Sequence, residues 1–539
     1  MNPWNQVKKI LQTHLGFFLF LFLFALFFSS SVGLMNSIDT PQFFTTESML
    51  RYHSFDMGFF KKDPHYFISP DFAKINGKIL NLHGFMLSLV ALPLHVISQT
   101  IQQLFTATSF NSFVVTNNFL YELSITSLYV LFSVGGLLFV WKSLIMVTKN
   151  TFLSTALIIL TGVGSSIWKW SACYQRQGMM VFILGLGIYL MTDSFTHRKN
   201  EHFWMWSILL IVSFGIDLFL FLSLFLFFGM SAIYFYVINR KITMRYLYRS
   251  LMPLLLLALC IIVQVAINIK MYGFLQPFQS IYRDTDNPYY GAFFKGVPEG
   301  DRYKVIMSAP LLQTLPVVLF NGGKLPQESY QHITKMTPPV RIRTSYYYLN
   351  RYNFFGLFVI SSFLLFSIFA YFLNKKMRVI TLFSYWVFIT NIVLQSVFIV
   401  FWGGTQYDVR YFYPYILCLV VPTGIAFSAL YKNKHILIRC SAIAFFITMG
   451  LFSVFMGWMG VVSMYKPALT GERKMWIDIL TFPSRYQAYS FEEYVNATFP
   501  NRENAWIAIL LSIMMYLIWQ IGKQIYFGLF PPKKKNLKS

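Results

Sequence analysis

Apolar runs of about twenty residues recur along almost the whole chain, and they constrain the fold more than any motif does. They lie near residues 15–35, 118–141, 152–168, 178–194, 203–238, 250–269, 353–373, 380–401, 411–430, 437–461 and 505–528. The run at 203–238 is long enough for a helix pair, so the pattern amounts to about twelve membrane crossings, roughly 11 to 13. Hydrocarbon offers backbone groups no partner, so spanning elements are helices or a closed barrel, and runs this long and continuous are helices. The expected fold is an all-α, polytopic membrane protein. Hydrophobic residues at 56%, charged residues at 12% and a mean hydropathy of +0.54 exclude a string of soluble domains. The first run is expected to stay attached, because no small-residue cleavage site precedes the polar segment after it.

The net charge of +24, from 44 basic and 20 acidic residues, would point to nucleic acid in a soluble protein. Here it reports orientation. Basic residues cluster in alternate connectors: Lys8 and Lys9, Lys142 and Lys149, Arg198 and Lys199, Arg240 and Lys241, Lys375 and Lys376, Lys432 and Lys434, and the tail Lys533 to Lys535. The positive-inside rule places these in the cytoplasm. A further apolar stretch at 81–104 would invert that order if it crossed, so it is expected to re-enter or to lie along the outer face. The chain then divides into an N-terminal membrane module, 1–269, with a first outer loop at 36–80. An outer-face region follows at 270–352, and a C-terminal membrane module at 353–539 carries an outer loop at 462–504. The cysteines Cys173, Cys260, Cys418 and Cys440 are scattered and form neither a disulfide framework nor a zinc spacing.

Most acids fall on the outer side, and the chemistry is expected there. Asp39 leaves the first apolar run inside Asp39-Thr40-Pro41-Gln42, with Glu47 two helical turns on. Lys78, His83 and Gly84 follow in the same loop, and Arg176 stands before the run at 178–194. Trp402-Gly403-Gly404 leads into Asp408, Arg410, Tyr411 and Pro414 at the mouth of a later run. One carboxylate and fixed cations at a membrane surface suit sugar transfer from a polyprenyl-phosphate carrier. The leaving group is already an anion and needs no general acid, so a single base suffices. Hydrolytic glycosidases need a carboxyl pair. The competing accounts are ordinary ones: Asp39 as a helix cap, Arg410 as an interfacial arginine reaching headgroups, Tyr411 as a belt aromatic, and Asp217 as a solvated turn residue. His53, His65 and His83 lack the spacing of a metal site, and none is expected.

The chain resembles the GT-C superfamily of integral-membrane glycosyltransferases, which includes the protein O-mannosyltransferases and the aminoarabinose transferases of lipid A. The resemblance rests on the order of Asp39-Thr40-Pro41-Gln42, Asn76-Gly77-Lys78, His83-Gly84 with Leu92-Pro93, Asn268 with Tyr272-Gly273-Phe274, and Trp402-Gly403-Gly404 to Arg410-Tyr411. It implies Asp39 as base, an outward-facing site and a lipid-phosphate-linked sugar as donor, with no other cofactor. Arg410, Arg176 and Lys78 then meet the donor phosphate, and His83, Glu47 and Tyr411 position substrate. The segment Trp168 to Gln177 has no carboxylate, which departs from the oligosaccharyl transferases and favours a monophosphate donor without metal. The implied partners are the lipid-linked donor and a glycan, glycolipid or protein acceptor, in a bacterial plasma (inner) membrane. Rival readings are a glycan ligase or polymerase using a pyrophosphate-linked carrier, and a non-enzymatic transporter or lipid-carrier flippase.

Overall fold

The computed structural model describes residues 3–31, 39–60, 72–105, 118–171, 176–197, 203–239, 244–275, 298–302, 311–320, 356–397 and 412–465, with Ile509, Ile513 and Tyr516. Within these residues the chain is mostly helical. Six helical stretches are long and apolar enough to cross a membrane: Ser127–Thr148, Arg176–His197, Leu254–Tyr272, Lys375–Ser396, Tyr413–Tyr431 and Ile436–Val461. They fit a membrane protein.

Helix α1 (Pro3–Ser29) ends where the hydroxyls of Ser29 and Ser30 turn back onto the carbonyls of Ala25 and Leu26, at 2.7 and 2.9 Å. Helix α4 (Asn118–Thr148) turns tightly into α5 (Thr151–Val163): Lys149 takes a left-handed conformation and Asn150 Oδ1 accepts from the Leu153 N–H at 3.0 Å. After the short α6 (Ser166–Ser171), α7 (Arg176–His197) runs parallel to α4. The two backbones nearly touch, since a Cβ on Gly136 would lie 2.3 Å from the Val181 carbonyl and one on Gly185 2.4 Å from that of Gly136. Only glycine permits that approach.

Helices α8 (Phe203–Ile216) and α9 (Leu218–Asn239) form an antiparallel pair around Asp217. Trp206 and Phe228, equally far before and after that residue, bring their rings to 5.9 Å. This is the helix pair expected at 203–238. Helix α10 (Met244–Tyr272) packs on α8, where Gln264 donates to the Ile211 carbonyl at 3.1 Å. Its outward side shows Leu255, Leu259, Ile262 and Val263, an apolar surface suited to lipid. The later helices are α11 (Leu311–Phe320), α12 (Leu357–Ile360), α13 (Ala370–Leu373), α14 (Arg378–Ser396), α15 (Leu417–Tyr431) and α16 (Ile436–Tyr465). Helix α15 is the most enclosed of these, with every residue from Leu417 to Ser428 buried.

Three expectations need correction. The described chain is not purely α-helical: β1 (Phe72–Ile75) and β2 (Lys78–Asn81) pair antiparallel, with Phe72 opposite Asn81 and Ile75 opposite Lys78. Asn76 and Gly77 make the turn at φ +49° and +79°, which these two residue types tolerate best. The apolar stretch at 81–104 therefore begins as a strand end, and its helix, α3, spans Met86–Phe105. The run at 152–168 is not one crossing helix. It breaks at Gly164 and Ser165, and α5 alone reaches only about 20 Å at 1.5 Å per residue. The run at 353–373 is likewise divided, with a 3-10 segment at Ser362–Phe369 between α12 and α13.

Candidate functional site

The second helix, α2 (Asp39–Tyr52), lies beside α3 and runs parallel to it. Ser88 Oγ donates to the Gln42 carbonyl at 3.1 Å, His95 Nδ1 meets Glu47 Oε1 at 2.9 Å, and Gln99 Nε2 donates to Glu47 Oε2 at 3.4 Å. These contacts advance together along both helices. The N-termini, at Asp39 and Met86, are consequently neighbours, and both present first-turn N–H groups and the positive ends of their dipoles at one end. The intervening chain is secured by Asp56, whose Oδ1 accepts from the N–H groups of Gly58 (2.8 Å) and Ile79 (2.9 Å) while Ser48 Oγ donates to its carbonyl (2.7 Å).

Glu47 sits at the far end of this pair, 1% exposed. Besides His95 and Gln99 it receives the Arg51 Nε at 3.0 Å. An ionised carboxylate only accepts, so the bond from His95, itself 2% exposed, requires the proton on Nδ1. The carboxylate is bound by groups of both α2 and α3, a geometry for holding two helices together.

The N-terminal end of the pair meets the membrane helices. A Cβ on Gly215 would lie 2.7 Å from the Met86 Cβ, which sets the first turn of α3 against the end of α8. Two residues on, Asp217 Oδ1 caps α9 by accepting from the N–H groups of Phe219 and Leu220 at 2.9 and 3.0 Å. Its Oδ2 pairs with Arg176 Nη1 at 3.2 Å, the two side chains being 11% and 14% exposed. Arg176 opens α7, beside α6, where Trp168 Nε1 donates to Ser30 Oγ at 3.0 Å. Lys169 is buried there with its Nζ 4.6 Å from the Trp170 ring. Trp170 in turn stacks on Tyr413, centroids 6.2 Å apart. The ends of α1, α2, α3, α6, α7 and α9 thus gather at one end of the bundle, opposite the described connectors that carry Lys149 and Lys432.

The structure brings three of the sequence candidates into this region: Asp39 as the first residue of α2, His83 in the turn before α3 with its N–H on Asn81 Oδ1 at 2.9 Å, and Arg176. For Asp39 only the backbone is described. Glu47 belongs to the other end of the α2–α3 pair, and Lys78 is exposed on the hairpin. Arg410 and Tyr411 lie outside the described residues, as does most of the region 462–504. Sequence reading passed over Arg51, His95, Gln99 and Lys169. Ser88, His95 and Gln99 share one helical stripe, a signal hidden when 81–104 is read as a single apolar run. No family model matches this chain, and no curated protein matches it.

Proposed function

We propose that this chain is a glycosyltransferase of the GT-C type, a multi-pass protein of about twelve crossings. It moves a sugar from a polyprenyl-phosphate donor to an acceptor hydroxyl on the non-cytoplasmic face of a bacterial plasma membrane. The observation that carries this reading is the parallel pairing of α2 and α3. Both helices begin at the same end of the pair, and the first turn of α3 meets Gly215, two residues before the Asp217 that pairs with Arg176.

In this reading Asp39 takes the acceptor proton as the hydroxyl oxygen bonds to the anomeric carbon. The carbon–oxygen bond to phosphate breaks, both electrons leave on the polyprenyl phosphate, and the configuration inverts. Arg176, oriented by Asp217, stabilises the departing phosphate, with Arg410 and Lys78 as further contacts. His83 and Tyr411 position substrate, while Glu47 keeps α2 against α3. The chemistry needs no metal and no cofactor beyond the donor.

The test is incubation of the purified protein in nanodiscs with labelled polyprenyl-phosphate sugars. Transfer or release of sugar supports the reading. Movement of intact carrier across the bilayer without either would replace it with transport, and turnover confined to pyrophosphate-linked carriers would replace it with ligation. Orientation is checked separately: cysteines introduced at His53 and Lys434, both exposed, should react with an impermeant reagent from outside only at position 53.

A further inference from the structure

We propose that the side-chain amide of Gln42 binds an alcohol hydroxyl of the substrate beside Asp39, an inference that rests on the transferase reading above. Gln42 is 0% exposed, and neither its Nε2 nor its Oε1 has a hydrogen-bond partner. Other buried amides are better served. Gln264 leaves Oε1 unmet but donates through Nε2 to the Ile211 carbonyl, and Asn391 leaves Oδ1 unmet but donates to Ser223 Oγ at 2.5 Å. Among the described residues, Gln42 is the amide unmet at both ends. Packing alone does not account for it, because Leu or Met fills the same volume without stranding a donor and an acceptor.

Its position is locked. The Gln42 carbonyl receives Ser88 Oγ at 3.1 Å and Thr46 Oγ1 at 2.9 Å, so this turn of α2 is held against the first turn of α3. Residues 39, 42 and 46 share one stripe of the helix, which puts the amide one turn inward from the candidate base. The paired N-termini and this stranded amide are independent observations at the same place.

The chemistry of the ligand follows from the two unmet ends. A phosphate oxygen only accepts and an ammonium only donates, so either would answer one end. A hydroxyl accepts from Nε2–H and donates to Oε1, and answers both. That hydroxyl comes from the donor sugar or from the acceptor alcohol. Because the amide is enclosed, the hydroxyl enters by a local opening at the end of α2.

The experiment uses the full chain in nanodiscs with three probes: a polyprenyl-phosphate hexose, the same polyprenyl phosphate without sugar, and octyl glucoside as an acceptor alcohol. Gln42→Leu should melt at the wild-type temperature or above it. Wild type should prefer the hexose-bearing carrier by about tenfold or more, and loss of that preference in Gln42→Leu, with bare-carrier binding unchanged, assigns the hydroxyl to the donor. A preserved preference with octyl glucoside binding weakened about tenfold assigns it to the acceptor. Unchanged binding of all three probes overturns the proposal and leaves the amide to a trapped water. If Gln42→Leu does not fold, Gln42→Met carries the same measurements, and failure of both makes the amide a folding element and overturns the proposal. Failure of wild type to bind either carrier is a separate result, and it refutes the transferase reading itself.

Discussion

Glu47 and Asp217 are both acids answered by an arginine, yet the two regions around them are built for different work. Glu47 is buried between α2 and α3, and three side chains, Arg51, His95 and Gln99, bind its two oxygens. Asp217 divides its carboxylate: one oxygen caps α9, and the other meets Arg176 at the rim where six helix ends gather. A carboxylate spent on three local donors fixes geometry. One shared between a helix cap and an arginine ties the start of α9 to the start of α7. The contrast assigns the far end of the α2–α3 pair to holding, and under the proposed function the near end to chemistry.

The largest expected effect comes from breaking the sealed cluster. Glu47→Ala removes the buried acceptor shared by Arg51, His95 and Gln99 and should cost about 3–5 kcal/mol in folding stability, read as a lowered melting temperature in detergent. Glu47→Gln, which keeps the shape and one acceptor, should lose less. A stable Glu47→Ala would mean that the cluster does not hold the two helices.

Next comes the near end. Asp39→Asn should leave melting within about 0.5 kcal/mol of wild type yet lose roughly a hundredfold or more in turnover, as expected for removal of a general base. Normal turnover would end the assignment of Asp39. Failure only through unfolding would turn this residue into a second holding group and erase the contrast between the two ends.

Asp217 gives a smaller, two-part effect. Asp217→Ala loses cap and ion pair together, and should cost about 1–2 kcal/mol. Asp217→Asn keeps the capping oxygen and a polar partner for Arg176, and should cost less than Asp217→Ala. Its donor binding should still weaken, since Arg176 is no longer held by an ion pair. Equal losses in the two variants would show that the pair, not the cap, carries the stability. The smallest effect belongs to Lys78→Ala on the exposed hairpin, which should leave stability within about 0.5 kcal/mol. Donor affinity then reports directly on whether that lysine reaches phosphate.

How far the sequence reached is clear at particular residues. The helix pair around Asp217 was legible because an acid in the middle of an apolar run has few stable places, and a helix-capping turn is one of them. The β-hairpin was legible in Asn76-Gly77 but was overlooked, because the neighbouring apolar stretch was read by length rather than by its turn signal. The break at Gly164 and Ser165 carries a local mark in Gly162-Val163-Gly164-Ser165-Ser166, which the surrounding apolar run conceals. At that break Gly457 comes so close that a Cβ on it would lie 2.1 Å from the Val163 carbonyl, a contact with a helix hundreds of residues away that the local sequence does not reveal.

The sequence by itself determined the apolar, helical character of the chain and the expectation of a membrane protein with basic connectors on one side. Each of these is a sum over many residues: apolar content sets the solvent, unsatisfied backbone in lipid requires helices, and charge distribution sets direction. Only the tertiary structure decided that α2 and α3 run parallel, that His95 and Gln99 bind Glu47, and that Arg176 answers Asp217. Those facts depend on single contacts between residues far apart in the chain, and local propensity carries no information about which distant group will fill a given lone pair.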